Sequence, residues 1–195
     1  NPDLSHFTSM AIWMHARFGN SAPTNGWIGR WLDGLSPSAA ELGAATIDSS
    51  VALHLLGDQR QAVGISPWGD MFGVDSQPPD LRMYDGIKAM SNAASGRGAW
   101  HDLFASTMRT QLDMAQQVAP AFEQTLPEGD LTKKMTIAAR LINANIGLRV
   151  IDVGLDGFDN HADQSGNHPD LLGDLDTAIA TFYGTLAPQW RDRVT

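Results

Sequence analysis

Leu148 to Asp170 reads LRVIDVGLDGFDNHADQSGNHPD, and this stretch decides the fold class. Arg149-Val150-Ile151-Asp152-Val153 is a β-rich run that stops at Gly154. The loop after it packs Asp156, Asp159, His161, Asp163 and His168 into thirteen residues. A helical pattern follows at once. Open α/β proteins build their sites in this way, in loops beyond the carboxyl ends of strands. The reading is an α/β domain, rich in helix and poor in strand, with most other segments serving as scaffold for this turn.

On its amino-terminal side the run is preceded by a helix from Asp130 to about Ile146. Asp130 reads as its N-cap, Leu131, Met135, Ala138, Ile142 and Ile146 as its apolar stripe, and Gly147 as its C′ glycine. Before that, Trp100, Leu103, Phe104, Met108, Leu112, Ala115, Val118 and Phe122 recur with a 3.6 period, which predicts an amphipathic helix over 99–124 that Pro120 kinks or ends. Residues 81–94 read as helix, and Gly96 to Gly98 as a break. On the carboxyl side, His168 or Asn167 reads as the cap of a helix with Pro169 at its first position and Asp170 in its first turn. Leu171, Leu175, Ile179, Phe182 and Leu186 mark its buried face, and Arg193-Val194-Thr195 reads as the start of a further strand.

The first eighty residues combine helices, short strands and a loop. A helix over 3–18, capped by Asp3 or Ser5, sets Leu4, Phe7, Ala11 and Met14 on one face, with Phe18 a turn further on and Gly19-Asn20 ending it. Trp27, Trp31 and Leu35 predict a short helix over 27–35, followed by a connector from Pro37 to Gly43. Ala44 to Ile47 and Gln61 to Ile65 are candidate short strands, Val51 to Leu56 is apolar and of either type, and 66–81 is an irregular loop. The six tryptophans, at 13, 27, 31, 68, 100 and 190, fall mostly on expected core faces. Two weak strands, one strong strand and one at the very end cannot close a doubly wound sheet. The expectation is one incomplete α/β domain over 1–195, a piece of a longer one, in three blocks: 1–80, 81–147 and 148–195.

Composition narrows the function classes. The 195 residues are 43% hydrophobic and 18% charged, which are globular values. A formal net charge of −9 disfavours nucleic acid and anionic membranes as partners. The absence of cysteine excludes disulfides, thiolate metal sites and Cys nucleophiles. No apolar run reaches transmembrane length, and Asn1-Pro2-Asp3-Leu4 does not read as a signal peptide.

Imidazole and carboxylates are the ligand set for Zn²⁺ and, with more oxygens, for Mn²⁺ or Mg²⁺. His161 with Asp156, Asp159 and Asp163 fits that chemistry if the loop turns sharply at Gly154 and Gly157. The same aspartates also suit plain turn chemistry. His168 suits either a second ligand or a helix cap. Asp152, inside the strand, points to a crevice or to a strand at a sheet edge. His6, His15, His54 and His101 have no acid partner at a telling spacing, and no Gly-rich phosphate loop, G-x-S-x-G elbow or H-E-x-x-H occurs.

Gly157-Phe158-Asp159-Asn160-His161-x-x-Gln164, then His168, Leu171-Leu172 and Leu175-Asp176, resembles the GGFDTHxxQ…H…LL…LD signature of a large bacterial family defined by a domain of unknown function. Ser5-His6-Phe7, Trp13 and Gly26-Trp27-Ile28-Gly29-Arg30 resemble its amino-terminal SHF…W…GWLGR segment. That family is placed in the alkaline phosphatase/sulfatase-like superfamily, and its members often carry twin-arginine export signals. The resemblance implies a partial α/β/α sandwich of alkaline-phosphatase-like type with a two-metal hydrolytic site.

It further implies a divalent metal (Zn, Mn, Mg or Ca) held by His161, with Asp159 or Asp156 as partner and His168 as ligand or neighbour. The implied substrate is a small anionic ester, and the implied location is periplasmic or secreted. Alkaline phosphatases carry Asp four residues before the metal His; here that position is Gly157, flanked by Asp156 and Asp159. The alternative is a non-catalytic exported binding or envelope-assembly module of the same fold. The family's Gly-Gly-Asn-Asp-Gly, Ser-Glu-Phe-Gly-Arg and Asp-His-Gly segments do not occur in this chain, in line with a middle piece.

Overall fold

The computed structural model describes residues 4–17, 24–35, 42–68, 78–94 and 96–195. The chain divides into two compact units, Asn1–Pro67 with Pro127–Thr195, and Trp68–Leu126. In chain order the elements are α1 (His6–His15), α2 (Trp27–Asp33), β1 (Leu42–Thr46), β2 (Gln61–Gly64), α3 (Pro78–Ala94), α4 (Ala99–Val118), α5 (Asp130–Ala144), β3 (Val150–Asp152) and α6 (Gln164–Thr185). The helix-rich α/β reading holds.

The first unit is built on a three-stranded parallel sheet in the order β2-β1-β3. All three expected internal strands form, each in a slightly different span. The register sets Ala45 opposite Val63 on one side and Ile151 on the other. Central β1 is made of small residues, and Ala44, Ala45 and Thr46 are all buried. A strand covered on both faces tolerates this, because the neighbours can approach closely. Leu32 of α2 and Leu55 of a 3-10 turn (Leu53–Leu55) bury with Ala44 and collect Ile28, Val51, Ala62 and Val150 around them. The segment 51–56 thus resolves as extended chain and a 3-10 turn, the crossover between two parallel strands.

α5 and α6 pack on each other, and Ile137, Ala139, Leu141 and Ala178 are essentially solvent-free. Each buried Leu or Ile of this kind contributes about 1.5–3 kcal/mol. The carboxyl ends of the two helices are tied together. Asn143 donates from Nδ2 to the Thr185 carbonyl (2.9 Å) and accepts from the Ala187 N–H (2.8 Å).

Several sequence expectations are corrected. α6 begins at Gln164 with Asp163 in the left-handed region as its cap, so Pro169 lies inside the helix and neither His168 nor Asn167 caps it. Asp163 accepts the N–H groups of Gly166 and Asn167 through its carbonyl, which starts the helix a turn early, and the proline costs one internal bond rather than the helix. α5 is capped by Gly129, with Asp130 already helical, and Asn145 rather than Gly147 takes the left-handed position at its end. Residues 191–195 form turns and coil, not a strand.

Five of the six tryptophans do not lie in the core: Trp13, Trp27, Trp31, Trp68 and Trp100 are exposed, while Trp190 is half-buried. In α2 the buried side is instead Gly29 and Leu32. A Cβ on Gly29 would lie 2.0 Å from the Leu56 carbonyl oxygen, so this helix meets the chain where it has no side chain. α1 likewise exposes Phe7 and buries His15, and Leu4 lies exposed just before it. It is capped by Ser5, which accepts from the Thr8 N–H at 3.3 Å, and it ends at Ala16. Asp3, Phe18, Gly19, Asn20, most of the connector before β1 and the middle of the 66–81 loop lie outside the described residues.

In the second unit α3 and α4 pack together around Tyr84, Ser91 and Ala105. The Ser91 carbonyl accepts from Arg109 Nη1 at 3.3 Å. The Asp102 carboxylate accepts the Gly96 N–H in the break before α4. The expected stripe on α4 is buried only in its second half, at Leu112, Ala115 and Val118, while Trp100, Leu103 and Phe104 are exposed. Pro120 ends the helix, which passes into a 3-10 turn over Ala119–Ala121. Among the described residues no helix is long and apolar enough to cross a membrane.

Candidate functional site

The three strands of the first unit end at Thr46, Gly64 and Asp152, on one rim of the sheet. Parallel strands place their open crevice on this rim. The loop leaving β1 carries Asp48, whose carboxylate accepts the Ser49 N–H at 2.6 Å. That bond, the Ser49 hydroxyl and the Lys134 ammonium hold its carboxyl below the usual range against the opposing effect of burial. Thr46 turns its hydroxyl into the same loop and accepts the Ala52 N–H at 3.0 Å.

Lys134, on the second turn of α5, reaches toward this rim. Its Nζ lies 2.8 Å from Asp130 Oδ2 and 3.8 Å from Asp48 Oδ2, with 11% of the side chain exposed. Burial pushes its pKa down, but the hydrogen bond and charge of Asp130 and the charges of Asp48 and Asp156 outweigh it and raise the pKa. Lys134 is thus the electrostatic centre between the loop after β1 and the loop after β3.

The acid/His loop runs from Val153 to the cap of α6. Gly157 has φ +100, and a Cβ there would lie 3.3 Å from Leu171. A φ this positive favours glycine, and the acid chemistry of the loop falls to the neighbours Asp156 and Asp159. Asp159 Oδ1 and His161 Nε2 are paired at 3.5 Å and are 73% and 88% exposed. Between them in sequence, Asn160 buries its side-chain oxygen with no hydrogen-bond partner. His168 stands apart from this pair: its ring lies edge-on to Phe158 at 5.5 Å, with Nε2 3.3 Å from the Phe158 carbonyl and Nδ1 3.3 Å from Gln164 Nε2. It braces the loop against α6.

For a metal ion, the donor chemistry fits in part. Asp159 and His161 offer one oxygen and one nitrogen, and the orphaned Asn160 oxygen is a further hard donor in the same loop. Among the described residues no group of three or more His, Asp or Glu side chains is set to hold an ion.

The structure also makes a pair that sequence spacing does not suggest. His54 Nε2, from the 3-10 turn between β1 and β2, lies 3.1 Å from Asp152 Oδ1 at the end of β3. Asp152 thus ends the edge strand of the sheet, the second of the two placements its sequence position suggests, and its carboxylate meets His54. Asp48, His54 and Lys134 carried one legible signal between them, the acid just past an apolar strand. The other two are brought in by the fold.

No curated protein and no solved structure matches this chain. The family profile described as Protein of unknown function (DUF1501) matches residues 2–194, and the chain belongs to that family.

Proposed function

We propose that this DUF1501 chain carries part of the site of an exported, metal-dependent hydrolase of small phosphate or sulfate esters, of the alkaline phosphatase/sulfatase-like kind. The observation that supports it is the convergence on one rim of Asp48 from the β1 loop and Asp156 from the acid/His loop, both acting on Lys134. The Asp159–His161 pair follows three residues later on the same loop.

Asp159 and His161 are the residues that would hold the ion. Once bound, it would polarise an ester oxygen and lower the pKa of bound water. Catalytic zinc sites use three protein ligands, so the reading requires donors beyond this pair. Lys134, held charged by its three acids, offsets the negative rim toward which an anionic ester must come.

A second reading is a non-catalytic exported binding or envelope-assembly module of the same fold. The exposure of Asp159 and His161 favours it, because water screens such a pair. The test is metal content and turnover of p-nitrophenyl phosphate and sulfate, with His161→Ala beside the unchanged protein. Loss of both in the variant is expected. Unchanged metal content and turnover would remove the proposal, and ion binding without turnover would favour the second reading.

A further inference from the structure

We infer that His54 and Asp152 form a proton-transfer dyad at the carboxyl rim of the sheet. His54 Nε2 and Asp152 Oδ1 are 3.1 Å apart, with 20% and 27% of the side chains exposed. A carboxylate at Nε2 draws the ring proton to that nitrogen and leaves the lone pair on Nδ1. Among the described residues Nδ1 has no hydrogen-bond partner. An imidazole with one nitrogen held by a carboxylate and the other open is the arrangement of a general base.

The pair is not needed to hold the chain in place. The turn carrying His54 is fixed by the Gly26 N–H on the Leu56 carbonyl (2.8 Å), the Ala52 N–H on Thr46 Oγ1 (3.0 Å) and the Leu55 N–H on the Ala52 carbonyl (3.0 Å). Leu55 is itself fully buried. The Asp152 main chain is fixed by the Ile47 N–H at 2.9 Å. A Cβ on Gly26 would fall 2.3 Å from His54 Cα, so the start of α2 is pressed against the His54 backbone and sets where its imidazole leaves the turn. The main chain that carries the two side chains is held without their own contact.

The substrate of this dyad, a phosphate or sulfate monoester, rests on the reading above; the dyad itself does not. In the step, Nδ1 takes a proton from water as the water oxygen bonds to phosphorus or sulfur. The bond from that atom to the leaving oxygen breaks. The imidazolium then returns its proton to the departing oxygen, so one water is consumed and an alcohol and an inorganic oxyanion are released.

The experiment has two arms on the whole chain. The first is the pH profile of p-nitrophenyl phosphate and sulfate hydrolysis for the unchanged protein, His54→Gln and Asp152→Asn. His54→Gln should lower kcat at least about 100-fold with KM kept and the acid limb lost; an unchanged kcat would overturn the dyad. The second is the rate at which diethyl pyrocarbonate labels His54, read by peptide mass spectrometry against the exposed His161. Scaled for its smaller exposure, His54 should label as fast as His161 in the unchanged protein and several-fold slower in Asp152→Asn. If neither ester is turned over, the hydrolase reading falls by itself and labelling decides the dyad. Fast, Asp152-dependent labelling supports it; an inert His54, or a rate indifferent to Asp152, overturns it, and the unchanged protein alone can show the former if a variant fails to fold.

Discussion

Lys134 Nζ lies 3.8 Å from Asp48 Oδ2, so the second turn of α5 is joined to the loop that leaves β1. Lys134→Met keeps the stem and removes the charge. The acids it leaves behind are half exposed, so the loss at neutral pH is expected to be only about 1 kcal/mol in a urea titration. Its folded pKa is raised, so its contribution is complete below the unfolded lysine value near ~10.4 and fades as pH rises through the folded value. The unchanged protein should lose stability above that pH relative to Lys134→Met, and parallel curves would count against the pairing.

Asp33 closes the turn before β2. Its carboxylate accepts the N–H groups of Asp58 (2.7 Å), Gln59 (3.0 Å) and Arg60 (2.7 Å). Burial would raise its pKa, but these three bonds and the Arg60 charge lower it. Asp33→Ala should cost about 1–3 kcal/mol at pH 7. A depressed pKa means the contribution is full above the unfolded value near ~3.9 and lost as pH falls through the folded one. The gap between the two proteins should therefore close in acid, which urea midpoints from pH 7 to pH 2 would reveal.

Gly29 is where α2 lies against the Leu56 and Gly57 backbone, and three main-chain atoms there would clash with a Cβ. Gly29→Ala is expected to destabilise the first unit by about 1–3 kcal/mol or more, since backbone cannot move aside as a side chain can. A thermal melt unchanged from the parent would show that α2 packs elsewhere.

Gly157 tests the loop. With φ +100 and Leu171 close by, Gly157→Ala should cost about 1–3 kcal/mol, whereas Gly154→Ala, which meets nothing within 4 Å, should cost much less. Equal melting temperatures for the two would mean that the turn is not held as described.

The Asp159–His161 pair is a separate matter, because both side chains stand in water. His161→Ala should shift stability by less than about 0.5 kcal/mol. A larger loss in a urea titration would make His161 a structural residue, not a ligand.

Much of the architecture was legible residue by residue. Val150-Ile151, Ala44-Ala45 and Val63 announced strands through β-branched or small apolar runs between turn formers, and the 3.6 period announced α4 and α5. Periodicity says which residues share a face but not which face meets the core, and Trp27, Trp31 and Trp100 were misplaced for that reason. Helix starts failed where a main-chain carbonyl did the capping, as at Asp163, because no side-chain signature marks it.

By itself the sequence determined the parallel-sheet class, the acid/His loop and the glycine at 157, since each depends on local backbone preference or on composition. Only the tertiary structure decided which of those acids do electrostatic work. Asp130 stands one turn before Lys134 on α5, but Asp48 and Asp156 act on that lysine, and His54 meets Asp152, from elements far apart in the chain. The stretch 148–170 is therefore one side of a rim. Its charge balance is set by α5 and by the turn after β1, because electrostatic interaction follows distance in space and not separation along the chain.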